Sequence, residues 1–302
     1  MNVKDQLSWD EFLKESSKER IISVVKPFNR LIAHTKNFFI IGGYGSFTKG
    51  YVLIITKDFI PSFGFIKDEA LNEVNFLIRL LKHHLNKKYN RNSVVFEHGM
   101  CACLGGLDRA HLHIMSLNQK SSEINLKESI NKALHQRKAG IEYIKFGKYK
   151  LENLHDINQF MSQTEDINEA EYEIKGKLFK LDDIKNLDID KWPLITSNHI
   201  NKGGHYVYFR SDFIDSSFLT IKNFKTQFGR QVVYENELEL CDNFKSEVNG
   251  IINKNPLTEP WKWQNCIFEK NIIETVNETR KDLKKYTTEF SSEYEEFKLT
   301  TI

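Results

Sequence analysis

Arg109-Ala110-His111-Leu112-His113-Ile114-Met115 alternates two classes of side chain, the period of a β-strand whose faces meet different surroundings. On such a strand every second side chain shares a face, with same-face neighbours ~6.6–7 Å apart. Arg109, His111, His113 and Met115 are thus expected on one side, and Ala110, Leu112 and Ile114 on the other, in a core. Two imidazoles at that spacing can touch opposite sides of one phosphate, and the Arg109 guanidinium can add charge beside them. Histidine's ordinary pKa of about 6.5 leaves it largely neutral near pH 7, hence able to attack phosphorus. The loop leading into the strand contains Gly99, Gly105 and Gly106. Glycine lets backbone N–H groups come close to an anion.

Outward from this strand the pattern predicts an α+β fold. Residues 37–41 form an apolar strand, Gly42-Gly43-Tyr44-Gly45-Ser46 turns the chain, and residues 51–55 return. Residues 68–88 place Leu71, Val74, Leu77, Ile78, Leu81 and Leu85 on one helical face. Strands at residues 93–97 and 109–117 follow, so strand, strand, helix, strand, strand predicts an antiparallel sheet with packed helices over residues 35–119. Ahead of it, Phe12, Ile21, Ile22, Val25, Leu31 and Ile32 recur at helix-like spacing, giving a helical segment over residues 1–34. Residues 120–200 are polar and read as a helical insertion, with candidate helices at 123–140 and 157–173. Residues 201–302 read as a helix-rich α+β extension packing on the core, with a strand at 203–209 and helices at 226–249 and 271–286.

The chain has 302 residues, 40% apolar and 12% aromatic, enough for a sizeable core. Charged residues make up 28% and nearly cancel to +2, which argues against a disordered polyelectrolyte; net charge gives no sign of nucleic-acid binding, and a local basic patch stays open. Met1-Asn2-Val3-Lys4-Asp5 leads into no apolar run of signal-peptide length. No stretch nears the ~20 apolar residues that cross a bilayer. Cys101, Cys103, Cys241 and Cys266 make no disulfide framework for a chain this large. A soluble, cytoplasmic protein with reduced thiols and no membrane partner is expected.

The central segment resembles the histidine-triad (HIT) superfamily motif, histidine–apolar–histidine–apolar–histidine–apolar–apolar, with His111 at the second histidine, His113 at the third and Arg109 at the first. Thr48-Lys49-Gly50-Tyr51-Val52-Leu53-Ile54-Ile55-Thr56-Lys57 resembles the family's glycine-led hydrophobic strand ending in lysine. Phe96-Glu97-His98-Gly99 is similar to a strand end found in one HIT-like branch. The resemblance spans residues 37–117. A shorter one links Thr226-Gln227-Phe228-Gly229-Arg230-Gln231 and Trp261-Lys262-Trp263-Gln264-Asn265-Cys266 to the second conserved segment of CwfJ-type proteins, HIT-like relatives associated with RNA processing.

This resemblance implies a hydrolase or nucleotidyltransferase in which His111 attacks the α-phosphorus of a nucleotide or dinucleotide. The covalent nucleotidyl-histidine is then resolved by water or another acceptor. It implies phosphate binding by His113, Arg109, His98, Glu97 and the amides near Gly105 and Gly106, and a nucleoside pocket walled by Phe38, Phe39 and Ile41. It calls for no cofactor and no metal. RNA is a further candidate partner, and a homodimer is compatible with the pairing of many relatives through their sheets. The departures are Arg109 for the first histidine, Tyr51 and Phe59 for two upstream histidines, and Met115-Ser116 where a proline often ends the strand. Arginine cannot shuttle protons, so a non-catalytic nucleotide or RNA-end binding module is the alternative.

A third reading has His111 and His113 joining Glu97 or Cys103 around zinc, although Leu117-Asn118 stand where a cupin-like site wants a glutamate. His98 either lines the phosphate site or caps its loop. Gln227 and Arg230 either reach the ligand or, for Arg230, form a surface ion pair. Trp261 and Trp263 read as packing residues, and His83-His84 as solvated.

Overall fold

Short runs rich in β-branched and aromatic residues form most of the strands in the computed structural model, which describes residues 30–58, 63, 66, 68–99, 109–135, 143–145, 206–213, 217–221, 227–254, 259–263 and 269–302. The strands are β1 (Leu31–His34), β2 (Phe38–Gly42), β3 (Val52–Thr56), β4 (Asn92–Gly99), β5 (His111–Leu117), β6 (Tyr143–Lys145), β7 (Tyr206–Ser211), β8 (Ser217–Ile221) and β9 (Thr300–Thr301). They make one nine-stranded sheet in the order β6-β8-β7-β4-β5-β3-β2-β1-β9. Every pairing in it is antiparallel. The helices are α1 (Asp68–Tyr89), α2 (Glu123–His135), α3 (Phe228–Leu240), α4 (Asp242–Lys254), α5 (Glu269–Lys285) and α6 (Ser291–Glu296). The fold is α+β.

Both faces of the sheet are covered, which is why β2 and β3 are apolar without interruption. On one face Phe38, Ile40, Ile54, Val95, Leu112 and Ile114 pack with α1 (Leu71, Val74, Leu77, Leu81) and α5 (Ile272, Val276, Leu283). On the other, Phe39, Ile41, Leu53, Ile55, Phe96 and Met115 pack with Phe228, Val232 and Val233 of α3. Each such side chain buried whole contributes about 1.5–3 kcal/mol against the entropy of ordering it. The register Ile55↔His111 and Leu53↔His113 sets the two histidines on the α3 face.

Several elements differ from the sequence reading. Leu31 and Ile32 stand in strand β1, between β2 and β9, and not in a helix. A short apolar run has no periodicity that separates strand from helix, and its partner β9 lies at the far end of the chain. Residues 120–200 include strand β6 as well as helix α2, and residues 136–140 of the helix expected there lie outside the described residues. The candidate helix at 157–173 lies outside the described residues. The helix expected at 226–249 is two, α3 and α4, broken where Cys241 turns extended (φ −129°, ψ 98°) while its N–H still bonds the Glu237 carbonyl. The described parts of residues 201–302 join the same sheet through β7 on β4 and contribute to both cores. Among the described residues no helix is long and apolar enough to cross a membrane.

Candidate active site

Strand alternation brings His111 and His113 side by side on the α3 face of β5, ring centroids 4.9 Å apart and tilted by 58°. The His111 Nδ1 lies 2.8 Å from the Arg109 carbonyl oxygen. A carbonyl only accepts, so Nδ1 carries the hydrogen and Nε2 keeps the lone pair. That Nε2 makes no hydrogen bond among the described residues. Burial lowers the His111 pKa, the carbonyl contact opposing it, so the ring is neutral at pH 7.

His113 is 7% exposed and lies between two rings, Phe96 at 4.5 Å (7° interplanar) and Tyr51 at 5.9 Å (11°). Its Nδ1 is 2.7 Å from the Tyr51 hydroxyl, and its Nε2 is buried with no partner among the described residues. Burial holds its pKa well below the ordinary histidine value, helped by the neighbouring His111, His98 and Arg230. His98, two residues from Phe96 on the same face of β4, accepts the Gly229 N–H at its Nε2 (3.0 Å). That N–H belongs to the first turn of α3, where backbone donors lack intrahelical partners, and the His98 ring lies 5.6 Å from His113. A Cβ at Gly229 would fall 2.3 Å from the Phe96 ring, so only glycine lets α3 sit this close to the histidines.

The remaining predicted residues are dispersed. Arg109 lies beside His111, but its Nη1 donates to the Lys57 carbonyl (2.8 Å), tying the ends of β3 and β5. Phe39 and Ile41 share the His111 face, with the Lys57 ammonium 5.0 Å over the Phe39 ring. Two placements are corrected. Phe38 points to the opposite face, stacked on Phe63 (6.1 Å), because neighbours in a strand alternate. Glu97, between Phe96 and His98, points there too, where its carboxylate receives the Phe63 N–H (2.8 Å). Neither borders the histidine pair. Gly105 and Gly106 lie outside the described residues, as do Cys101, Cys103 and Phe59.

Sequence reasoning missed how much the C-terminal residues build this site. Arg230 is no surface ion pair: it is almost wholly buried, its Nε donating to the Trp261 carbonyl (2.9 Å), Nη1 to Tyr44 (2.9 Å) and Nη2 to Gly45 (2.5 Å). Its guanidinium carbon also stands 5.1 Å from the Tyr51 ring centroid. Gln227, at φ 68°, starts α3 in a left-handed conformation, and its side chain accepts the Trp263 N–H (2.7 Å). Trp261 packs at the edge of the α3-side core, and Trp263 lies 6.1 Å from Tyr44. The signal was the Gln227-Phe228-Gly229-Arg230 run itself, which pairs a glycine with a long cation. Among the described residues no three His, Cys, Asp or Glu side chains gather closely enough to hold a metal ion.

No protein-family model matches the chain, and no curated protein matches it.

Proposed function

We propose that the chain is a HIT-like nucleotide hydrolase or nucleotidyltransferase acting at an α-phosphorus through His111. The observation that carries this reading is the Nδ1–H of His111 donating to the Arg109 carbonyl, which leaves the Nε2 lone pair, without a hydrogen bond among the described residues, beside the His113 ring. That is the tautomer a nucleophilic imidazole needs. Nε2 forms a bond to phosphorus while the bond from phosphorus to the leaving group breaks, and the leaving group departs with the electron pair. As the ring becomes cationic, the Arg109 carbonyl stabilises its Nδ1–H. Water or another acceptor then forms a bond to phosphorus, the N–P bond breaks, and Nε2 recovers its pair. The acceptor's proton passes to solvent.

Arg109 supplies no proton at pH 7 and is engaged with the Lys57 carbonyl. This favours leaving groups that depart as stable anions, such as the phosphate chain of a nucleoside triphosphate or dinucleoside polyphosphate, over amines that must be protonated. Mass spectrometry of intact protein incubated with ATP or diadenosine polyphosphate tests the reading. An adenylyl adduct is expected in the wild type and not in His111→Ala. Saturable nucleotide binding with neither adduct nor turnover would favour a binding module, the role that loss of the first histidine makes the nearest competitor.

A further inference from the structure

We propose that Tyr51 is a positioning residue that fixes His113 as the Nε2–H tautomer, a hydrogen-bond donor for an anionic oxygen and not a base or a metal ligand. The inference rests on the reading above for the identity of the ligand, but not for the tautomer itself.

Two buried groups, the Tyr51 hydroxyl and the His113 Nδ1, share one hydrogen. Tyr51 is buried, and burial raises its pKa, so its hydroxyl keeps its hydrogen at neutral pH. A buried hydroxyl hydrogen needs an acceptor, and the Nδ1 of His113, 2.7 Å away, is the one the described residues offer. The Arg230 guanidinium, its carbon 5.1 Å from the Tyr51 ring centroid, adds positive charge near the phenol and offers no acceptor for its hydrogen. Arg230 is itself held by the carbonyls of Trp261, Tyr44 and Gly45. The hydroxyl hydrogen therefore points at His113, Nδ1 accepts it, and the ring's own hydrogen resides on Nε2.

The consequence lies at Nε2, which is buried and has no partner among the described residues. A buried N–H left unpaired is costly, and a ligand that supplies an acceptor recovers that cost. Phe96 stacks on the imidazole at 4.5 Å and the Tyr51 hydroxyl holds its Nδ1 edge, so the two together restrain the ring and fix the donor's direction. His111 Nε2 presents a lone pair next to it. A lone pair and an N–H side by side suit a phosphoryl group, with phosphorus at the first and a non-bridging oxygen at the second. They do not suit a divalent cation, which needs lone pairs from both rings. Tyr51, a departure in sequence from the motif the chain resembles, is in this structure the group that orients His113.

Nitrogen-15 NMR of the histidine rings in the full chain, with and without inorganic phosphate, tests this directly. In the wild type the His113 couplings should show hydrogen on Nε2 and a bare, hydrogen-bonded Nδ1, with the Nε2 signal moving as phosphate is added. Tyr51→Phe keeps the stacked ring and removes only the hydroxyl. It should mix the two tautomers and weaken phosphate binding about three- to tenfold, the effect of one misdirected hydrogen bond. A wild-type His113 with hydrogen on Nδ1, or a tautomer unchanged in Tyr51→Phe, overturns the proposal. An Nε2–H tautomer that responds to Tyr51→Phe but ignores phosphate upholds the positioning role and refutes the phosphoryl-site reading instead.

Discussion

His84 gives the most quantitative test of the packing that holds the sheet's helices in place. It lies on α1 facing α5, its Nε2 3.1 Å from the Thr279 hydroxyl and its Nδ1 3.6 Å from an Asp282 carboxylate oxygen. The sequence reading had it solvated; it is 1% exposed. Burial is the largest influence on it, opposed by Asp282, with Lys88 and His83 also lowering and Glu278 raising, and the result is a pKa of about 4. In the unfolded chain the same imidazole titrates near 6.5. Its folded value is the lower one, so as the pH falls the unfolded state takes up the proton first. The stability is whole above about 6.5 and is lost progressively down to about 4. At about 1.36 kcal/mol per decade the full loss is ~3 kcal/mol, of which ~2 kcal/mol is gone by about pH 5. Urea unfolding at pH 7.5 and at pH 5 measures it, run in parallel on His84→Gln. His111 and His113, also buried and neutral, contribute in the same direction to both proteins and cancel in the comparison. The variant should lose ~2 kcal/mol less than the wild type across that interval. Equal losses in the two proteins would refute the reasoning, and with it the picture of His84 as a neutral packing residue between α1 and α5.

The other predictions concern the histidine cluster and its support. Arg230→Met leaves the buried carbonyls of Trp261, Tyr44 and Gly45 without their donors, so a loss of roughly 3–5 kcal/mol is expected in thermal or urea unfolding; a change below 1 kcal/mol would mean water replaces the guanidinium. Gly229→Ala forces its methyl against the Phe96 ring. It should cost about 1–3 kcal/mol of stability and weaken nucleotide binding through the displaced His98 contact, read together by melting and calorimetric titration. Because burial lowers the His111 pKa, the neutral imidazole persists below pH 6.5. Adduct formation should therefore fall off only at a pH below 6.5, and an acid limb above that value in quenched-flow measurements would contradict the assigned environment.

What the sequence revealed and what it hid follow from one physical distinction. Alternation within a strand is local, so the shared face of His111 and His113 was legible from residues 109–115 alone, and so was the helical stripe from Leu71 to Leu85. Parity between strands is not local. Whether Phe38 or Phe39 shares a face with His111 depends on the pairing Phe39↔Ile55 and then Ile55↔His111, and a one-residue slip exchanges the two. The same ambiguity put Glu97 beside the histidines when its carboxylate serves the Phe63 amide on the far side. The long-range contacts were hidden altogether. The Tyr51–His113 bond joins residues 62 apart, and the Gly229–His98 bond residues 131 apart. Each is made of groups that look unremarked in one dimension. The positions at which the chain departs from the motif it resembles were nonetheless the informative ones. Tyr51 puts a hydroxyl on His113, and Arg109 turns its guanidinium to a backbone carbonyl. On the proposed function, Arg109 stands where the resembled motif has a proton-shuttling histidine, and the site relies on fixed hydrogen-bond geometry instead. Its chemistry should therefore depend on how well the leaving group departs unaided, and a series of nucleotide substrates graded by leaving-group pKa should show that dependence as a steep negative slope in rate.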